Sequence, residues 1–180
     1  MKKAEAHQPN VYTIGHSTMT IESFIKIINT YGIKEVVDIR TIPRSRHNPQ
    51  FNKDTLPGYL KKSNIRYLHM AGLGGLRHAR PDSVNKAWRN DSFRGYADYM
   101  QTDRFESALE KLVGLSRRRS VVLMCAESLP WRCHRSLVAD ALLIRRIQAI
   151  DIFSPTINKK HVLTPWAKER GKHLTYPITD

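Results

Sequence analysis

The feature that most constrains this chain is a rhythm. Short, apolar, β-branched runs alternate with stretches whose apolar residues recur every three or four positions. "VYTIGHS" (Val11–Ser17), "KEVVDIR" (Lys34–Arg40), "IRYLHM" (Ile65–Met70) and "SVVLMC" (Ser120–Cys125) are too short for helices and too apolar for loops. They read as buried parallel strands, and "AIDIF" (Ala149–Phe153) reads as a fifth. After the first, Thr20 is placed to cap a helix that buries Ile21, Phe24, Ile25 and Ile28 and stops at Tyr31-Gly32. Further helices are expected over Asp54–Lys62, over Phe93–Gln101, from a D-x-x-E start at Asp103 and Glu106, and over Cys133–Arg146. Strands alternating with helices imply an α/β class. The expected architecture is an open, mostly parallel sheet with helices on both faces, a Rossmann-like three-layer domain. Residues 1–10 carry no such pattern and read as a flexible tail, leaving 11–180 as one domain.

A parallel sheet turns scattered polar residues into a place, because ligands bind beyond the carboxyl ends of its strands. The first strand ends in Gly15-His16-Ser17 and the second in Asp38-Ile39-Arg40, followed by Pro43-Arg44-Ser45. The third ends at His69 with Gly72, Gly74 and Gly75 beyond it, and the fourth in Cys125-Ala126-Glu127. All four are expected to open onto one rim. "LMCAESLPWRCHRSLVADALL" holds both cysteines of the chain, Cys125 and Cys133, at one strand-to-helix junction. A helix start offers unpaired N–H groups and partial positive charge, which favour anions and thiolates. Cys133, flanked by Arg132, His134 and Arg135, is therefore the expected reactive thiol. Cys125, ending an apolar strand, fits an inert buried cysteine equally well.

Other chemistries of the pair are weaker. The spacing is C-x7-C, which matches no standard zinc or redox motif. Adjacent Cys133 and His134 would diverge on a helix, so no metal site is expected. From Cys125 the sixth residue onward is Trp131, and Arg132 falls one place late for the Cys-x5-Arg phosphate loop. Pro130 also removes a backbone donor from such a cradle.

The partner is read from charge. Thirty Lys and Arg against sixteen Asp and Glu give +14, which favours an anionic ligand such as a nucleotide or nucleic acid. Arg40, Arg44 and Arg135 are the candidate phosphate contacts, with Ser17 on the rim and Gly74 in a glycine-rich loop. Tyr96 is a candidate for stacking on a base. His16, Asp38, Glu127 and His134 are candidates for proton transfer, and Cys125 or Cys133 for nucleophile. No run reaches the ~18 apolar residues of a membrane span, and no apolar segment follows the first lysines, so a cytoplasmic location is expected. The sequence names no cofactor and leaves the oligomeric state open.

The blocks "YTIGHS", "VVDIRTIPRS", "LGGLR", "FRGYADYM" and "LMCAESLPWRCHRSLVADAL" together resemble the domain of unknown function 488 family, in the same order, over Val11–Phe153. The resemblance implies a small α/β domain. Its matched positions are Gly15-His16-Ser17, Asp38-Ile39-Arg40, Pro43, Arg44, Cys125, Glu127, Cys133, His134 and Arg135. It brings no established reaction. The leading expectation is an enzyme, a cysteine-dependent hydrolase or transferase, acting on a nucleotide, nucleic acid or other phosphorylated substrate. Its rivals are a nucleic-acid-binding protein without chemistry and a cysteine-based metal or redox sensor.

Overall fold

Five strands run parallel because each of the first four is followed by a crossover that returns the chain to the same edge. The computed structural model describes residues 9–178. The expected tail therefore lies outside the described residues except at 9 and 10. The strands are β1 (Val11–Gly15), β2 (Glu35–Asp38), β3 (Arg66–His69), β4 (Val121–Cys125) and β5 (Ala149–Ile152). A short β6 (Asn158–Lys160) adds antiparallel to β5, giving the order β3-β2-β4-β1-β5-β6. The mixed α/β class and the mostly parallel sheet are as the sequence implied.

The helices are α1 (Ile21–Thr30), α2 (Leu56–Lys62), α3 (Asp91–Tyr99), α4 (Asp103–Ser116) and α5 (Arg135–Leu143). Thr20 caps α1 by accepting from the Ser23 amide, and Thr102 caps α4 by accepting from Phe105. Alternation along the strands sends side chains to two cores. Val121 and Leu123 pack with Leu109 and Leu112 of α4 and Leu137 and Leu142 of α5. Val122 and Met124 pack with Phe24 and Ile28 of α1 and Leu56 and Leu60 of α2. The sheet is thus covered on both faces.

One consequence locates the site. β1 and β4 are neighbours, paired from Val11–Val121 to Gly15–Cys125. The helix after β1 lies on one face and the helix after β4 on the other. The two connections therefore part at their carboxyl ends, which is where α/β sheets bind ligands.

The C-terminal segment carries two strands absent from the sequence reading, β7 (Lys168–Arg170) and β8 (His173–Thr175), a two-stranded hairpin turned at Gly171. Asp140 of α5, fully buried, anchors this region. It accepts from His161 Nε2 at 2.7 Å, the Thr164 amide at 3.0 Å and the Tyr176 hydroxyl at 2.9 Å. No helix among the described residues is long and apolar enough to cross a membrane.

Candidate functional site

The loop after β4 crosses directly over the end of β1. His16 N–H donates to the Cys125 carbonyl and Ser17 N–H to that of Ala126, both at 2.9 Å. A Cβ on Gly15 would stand 1.8 Å from the Glu127 carbonyl oxygen, so only glycine admits the crossing. Ser17 takes a positive φ of 46° to make the turn. Arg135 then fastens the loop from below: its Nη1 donates to the Glu127 carbonyl and its Nη2 to that of Ser128 at 2.7 Å.

On the α1–α2 side of this crossing lies a buried polar network. Arg40 grips Asp38 through two bonds, Nε to Oδ1 at 2.9 Å and Nη2 to Oδ2 at 2.7 Å. Nη2 also reaches the Phe51 carbonyl at 2.6 Å, and the Tyr67 hydroxyl donates to Asp38 Oδ2 at 2.7 Å. His16, 1% exposed, stacks on Phe51 with ring centroids 4.2 Å apart. Its Nδ1 faces the Ser17 carbonyl at 2.8 Å, so that nitrogen carries the proton and Nε2 accepts from Arg40 Nη1 at 3.3 Å. Burial, partly opposed by the Ser17 carbonyl and reinforced by Arg40, lowers the His16 pKa to about 4.

On the α3–α5 side lies a cavity of about 270 Å³ lined by Cys125, Cys133, His134, Glu127, Arg132 and Tyr96, among others. Here the structure departs from the expected helix start. A short 3-10 turn at Pro130–Arg132 is followed by Cys133 in extended conformation, and α5 begins only at Arg135. Cys133 is therefore not in the helix, and the argument that it diverges from His134 fails. The Cys133 sulfur lies 3.7 Å from His134 Nδ1, and the sulfurs of Cys125 and Cys133 and a ring nitrogen of His134 all fall within 4.8 Å of one another.

The two thiols are shifted in directions opposite to those a helix start would give. The two sulfurs lie within 4.8 Å of each other, and interaction with the neighbouring Cys133 thiol is what most favours the Cys125 thiolate. With Arg135 and the Glu127 and Ala126 amides, it outweighs burial and holds Cys125 below the ordinary thiol range. The same interaction, with burial, pushes the Cys133 thiol well up. Both cysteines are free. His134 Nε2 lies 3.2 Å from the Ile39 carbonyl, which fixes Nε2 as donor and leaves the Nδ1 lone pair toward Cys133. Burial lowers its pKa to about 4. Gly75 makes room for this ring, since a Cβ there would come within 2.8 Å of Nδ1.

The remaining sequence candidates separate. Glu127 Oε1 accepts from the Leu129 amide at 3.1 Å, which holds its carboxyl below the usual range and caps its own loop. Tyr96 is 1% exposed and donates to the Leu73 carbonyl, so its ring wall is fixed. Gly74 packs on Thr41 beside the cavity. Arg44 stands apart, 74% exposed, 3.7 Å from Asp54 and outside the thiol cavity. The sequence reading named Arg132 only as a neighbour of Cys133 and passed over Leu76, Ser92 and Phe93, all of which also line the cavity. Arg132 could have been found from its place in the same loop. The others come from distant segments without a motif. Leu76, like Ser17, has a positive φ, 55°. Leu76 lines the thiol cavity and Ser17 makes the crossing beside it.

The histidines predict the pH dependence of stability. For His161, burial lowers the pKa but the hydrogen bond to Asp140 and the nearby Asp151 carboxylate outweigh it and raise it to about 9. Its contribution is complete below the ordinary value of 6.5 and lost as pH rises through about 9. His16 and His134 behave oppositely: their contribution is complete above 6.5 and lost as pH falls through about 4. The urea midpoint should therefore be highest near 6.5. His161→Gln should weaken the alkaline decline and leave the acid one. An unchanged alkaline limb would contradict the His161 assignment.

The model of one protein family, the domain of unknown function DUF488, matches residues 20–142, which spans α1 through most of α5. No curated protein and no solved structure matches the chain. The matched stretch includes every residue of the thiol cavity as well as Asp38, Arg40 and Arg135, and it exceeds half of the 180 residues. The chain belongs to the DUF488 family.

Proposed function

We propose that Cys125 is the nucleophile of an enzyme that transfers or hydrolyses a group on an anionic, phosphorylated substrate. The observation that carries this reading is Arg135. Its guanidinium is 1% exposed, its Nε has no acceptor, and no carboxylate among the described residues lies within ion-pair distance. A guanidinium does not give up its proton, and a buried charge without a counter-charge is costly. The Cys125 thiolate is the group beside it that supplies the negative charge. In a transfer step the Cys125 sulfur bonds to the electrophilic centre, and that centre's bond to the leaving group breaks with the electron pair going to the leaving group. Protonation of the leaving group falls to the Cys133 thiol, whose sulfur lies within 4.8 Å of that of Cys125. Water in hydrolysis, or a second acceptor in transfer, then attacks the same centre, the bond to sulfur breaks with its electron pair returning to Cys125 as thiolate, and the proton of the attacking group restores the Cys133 thiol. His16, Asp38 and Arg40 are read as positioning residues, because their hydrogen bonds are directed at one another. Arg132, exposed at the cavity wall, is the candidate contact for substrate phosphate.

A second reading is favoured by one observation. Two sulfurs and one imidazole nitrogen within 4.8 Å form a soft ligand set with a fourth position toward the cavity, as Zn²⁺ would take. The two readings part on one experiment. Native protein is treated briefly with iodoacetamide near neutral pH and mapped by mass spectrometry, beside metal analysis of the same sample. The thiolate reading expects label on Cys125 before Cys133, slowed by pyrophosphate. Stoichiometric zinc that is lost in both Cys125→Ser and His134→Ala would overturn it in favour of the metal reading.

A further inference from the structure

All three tryptophans of the chain line one cavity of about 340 Å³, which shares the Pro130–Arg132 turn with the thiol cavity. Two of them are unusually open: Trp131 is 61% exposed and Trp166 39%. Trp131 lies against Phe153 with ring centroids 6.4 Å apart, and Trp88 meets Trp166 edge-on at 5.3 Å. Exposed tryptophan faces grouped around a concave surface mark a binding site. The floor is polar, with Ser136, Asp151 and His161. The indole N–H of Trp88 is buried and has no acceptor.

The charges decide what kind of flat ligand fits. Lys159 and Lys160 line the cavity from the exposed edge strand β6, and exposed Arg132 continues the basic rim on the shared turn. The acidic groups nearby are already engaged. Asp151 accepts from Thr13 at 2.5 Å and lies 3.9 Å from His161, and Asp140, fully buried, holds the other side of that ring. Aromatic faces beside free cations suit a base with its phosphate. The cations sit on two separate elements, β6 and the 130–132 turn, and the whole chain carries +14, more than one nucleotide can use. Paired bases in a duplex already stack on one another and cannot offer their faces.

We propose that this cavity is a base-stacking site for single-stranded nucleic acid, with Trp131 and Trp166 as its faces and Lys159, Lys160 and Arg132 on the phosphates. The assignment names the substrate class for the Cys125 chemistry. It rests on that reading for what is done to the strand, while the binding itself stands on the tryptophan cavity.

Because every tryptophan lies in the cavity, intrinsic fluorescence reports binding directly. The full-length chain is titrated with a short oligothymidylate at low salt, with heparin and thymidine monophosphate as comparisons. Saturable quenching by the oligomer is expected. Trp131→Ala should weaken binding about tenfold or more, as loss of one base–aromatic stack does. Lys159→Glu with Lys160→Glu should weaken it and reduce the log–log salt slope by about 1–1.5. Both changes fall on exposed positions, so the fold is kept. Cys125→Ser should bind as the native protein does. Strand binding by a protein whose Cys125 proves unreactive would sink the thiol reading and leave this one standing. The proposal is overturned by absence of quenching, by Trp131→Ala binding unchanged with heparin competing equally, or by the monophosphate saturating at the same concentration as the oligomer.

Discussion

Asp38→Ala is expected to remove about 3–5 kcal/mol of unfolding free energy, the cost of breaking a buried ion pair from one side. The cause is the company Asp38 keeps. It is fully buried, holds Arg40 by two bonds and accepts from the Tyr67 hydroxyl. Its removal strands a guanidinium that is 6% exposed and leaves the phenol without an acceptor. Such a loss is a large part of the roughly 5–15 kcal/mol that holds a domain folded. Asp38→Asn keeps the shape and some of the bonds and should fall between. Urea unfolding checks this. A loss below about 1 kcal/mol for the alanine variant would mean that the Phe51 carbonyl and His16 suffice to hold Arg40.

Gly15→Ala should act on the site more than its size suggests. The new methyl would need the space of the Glu127 carbonyl, at 1.8 Å, and that oxygen is held by Arg135. The loop must lift, and the bonds from His16 and Ser17 to the carbonyls of Cys125 and Ala126 must lengthen or break. Overpacking of this kind costs about 1–3 kcal/mol. The sharper expectation concerns Cys125, whose amide donors come from the displaced loop. Its alkylation rate near neutral pH should fall at least tenfold. A stable Gly15→Ala protein with an unchanged rate would show that the crossing does not set the thiol.

The parallel strands were legible because a strand buried on both faces must be apolar throughout, as "SVVLMC" is. The helix starts at Thr20 and near Asp103 were legible from cap chemistry, although Thr102 proved to be the cap of α4. The strands β6, β7 and β8 were not. Each is three residues long, β6 and β7 are exposed throughout, and "NKK" or "KER" carries no periodicity. At the site, the rim was legible from strand ends, which placed His16, Asp38, Cys125 and Glu127 at one edge. The start of α5 was misread by two residues. Polar Cys133-His134-Arg135 after a proline imitates a helix start, whereas the chain spends Pro130–Arg132 on a 3-10 turn and extends through Cys133. That shift takes Cys133 out of the helix and leaves its sulfur within 4.8 Å of Cys125 and His134. Arg135 was read as a phosphate contact. Whether an arginine finds a carboxylate depends on which segments meet in space, and no local pattern encodes it.

The central claim is that Cys125 is a thiolate held by Cys133, two amides and Arg135. Thiolate absorbs in the ultraviolet where thiol does not, so a pH titration of that absorbance measures it directly. The native protein should show one thiolate whose midpoint lies below the free-cysteine value of about 8.5. Cys133→Ser, whose hydroxyl can donate to Cys125 from the same position, should keep a lowered midpoint, and Cys125→Ser should lose it. A lowered midpoint that survives in Cys125→Ser and vanishes in Cys133→Ser, or no midpoint below the free-cysteine value in any of the three proteins, would contradict the account.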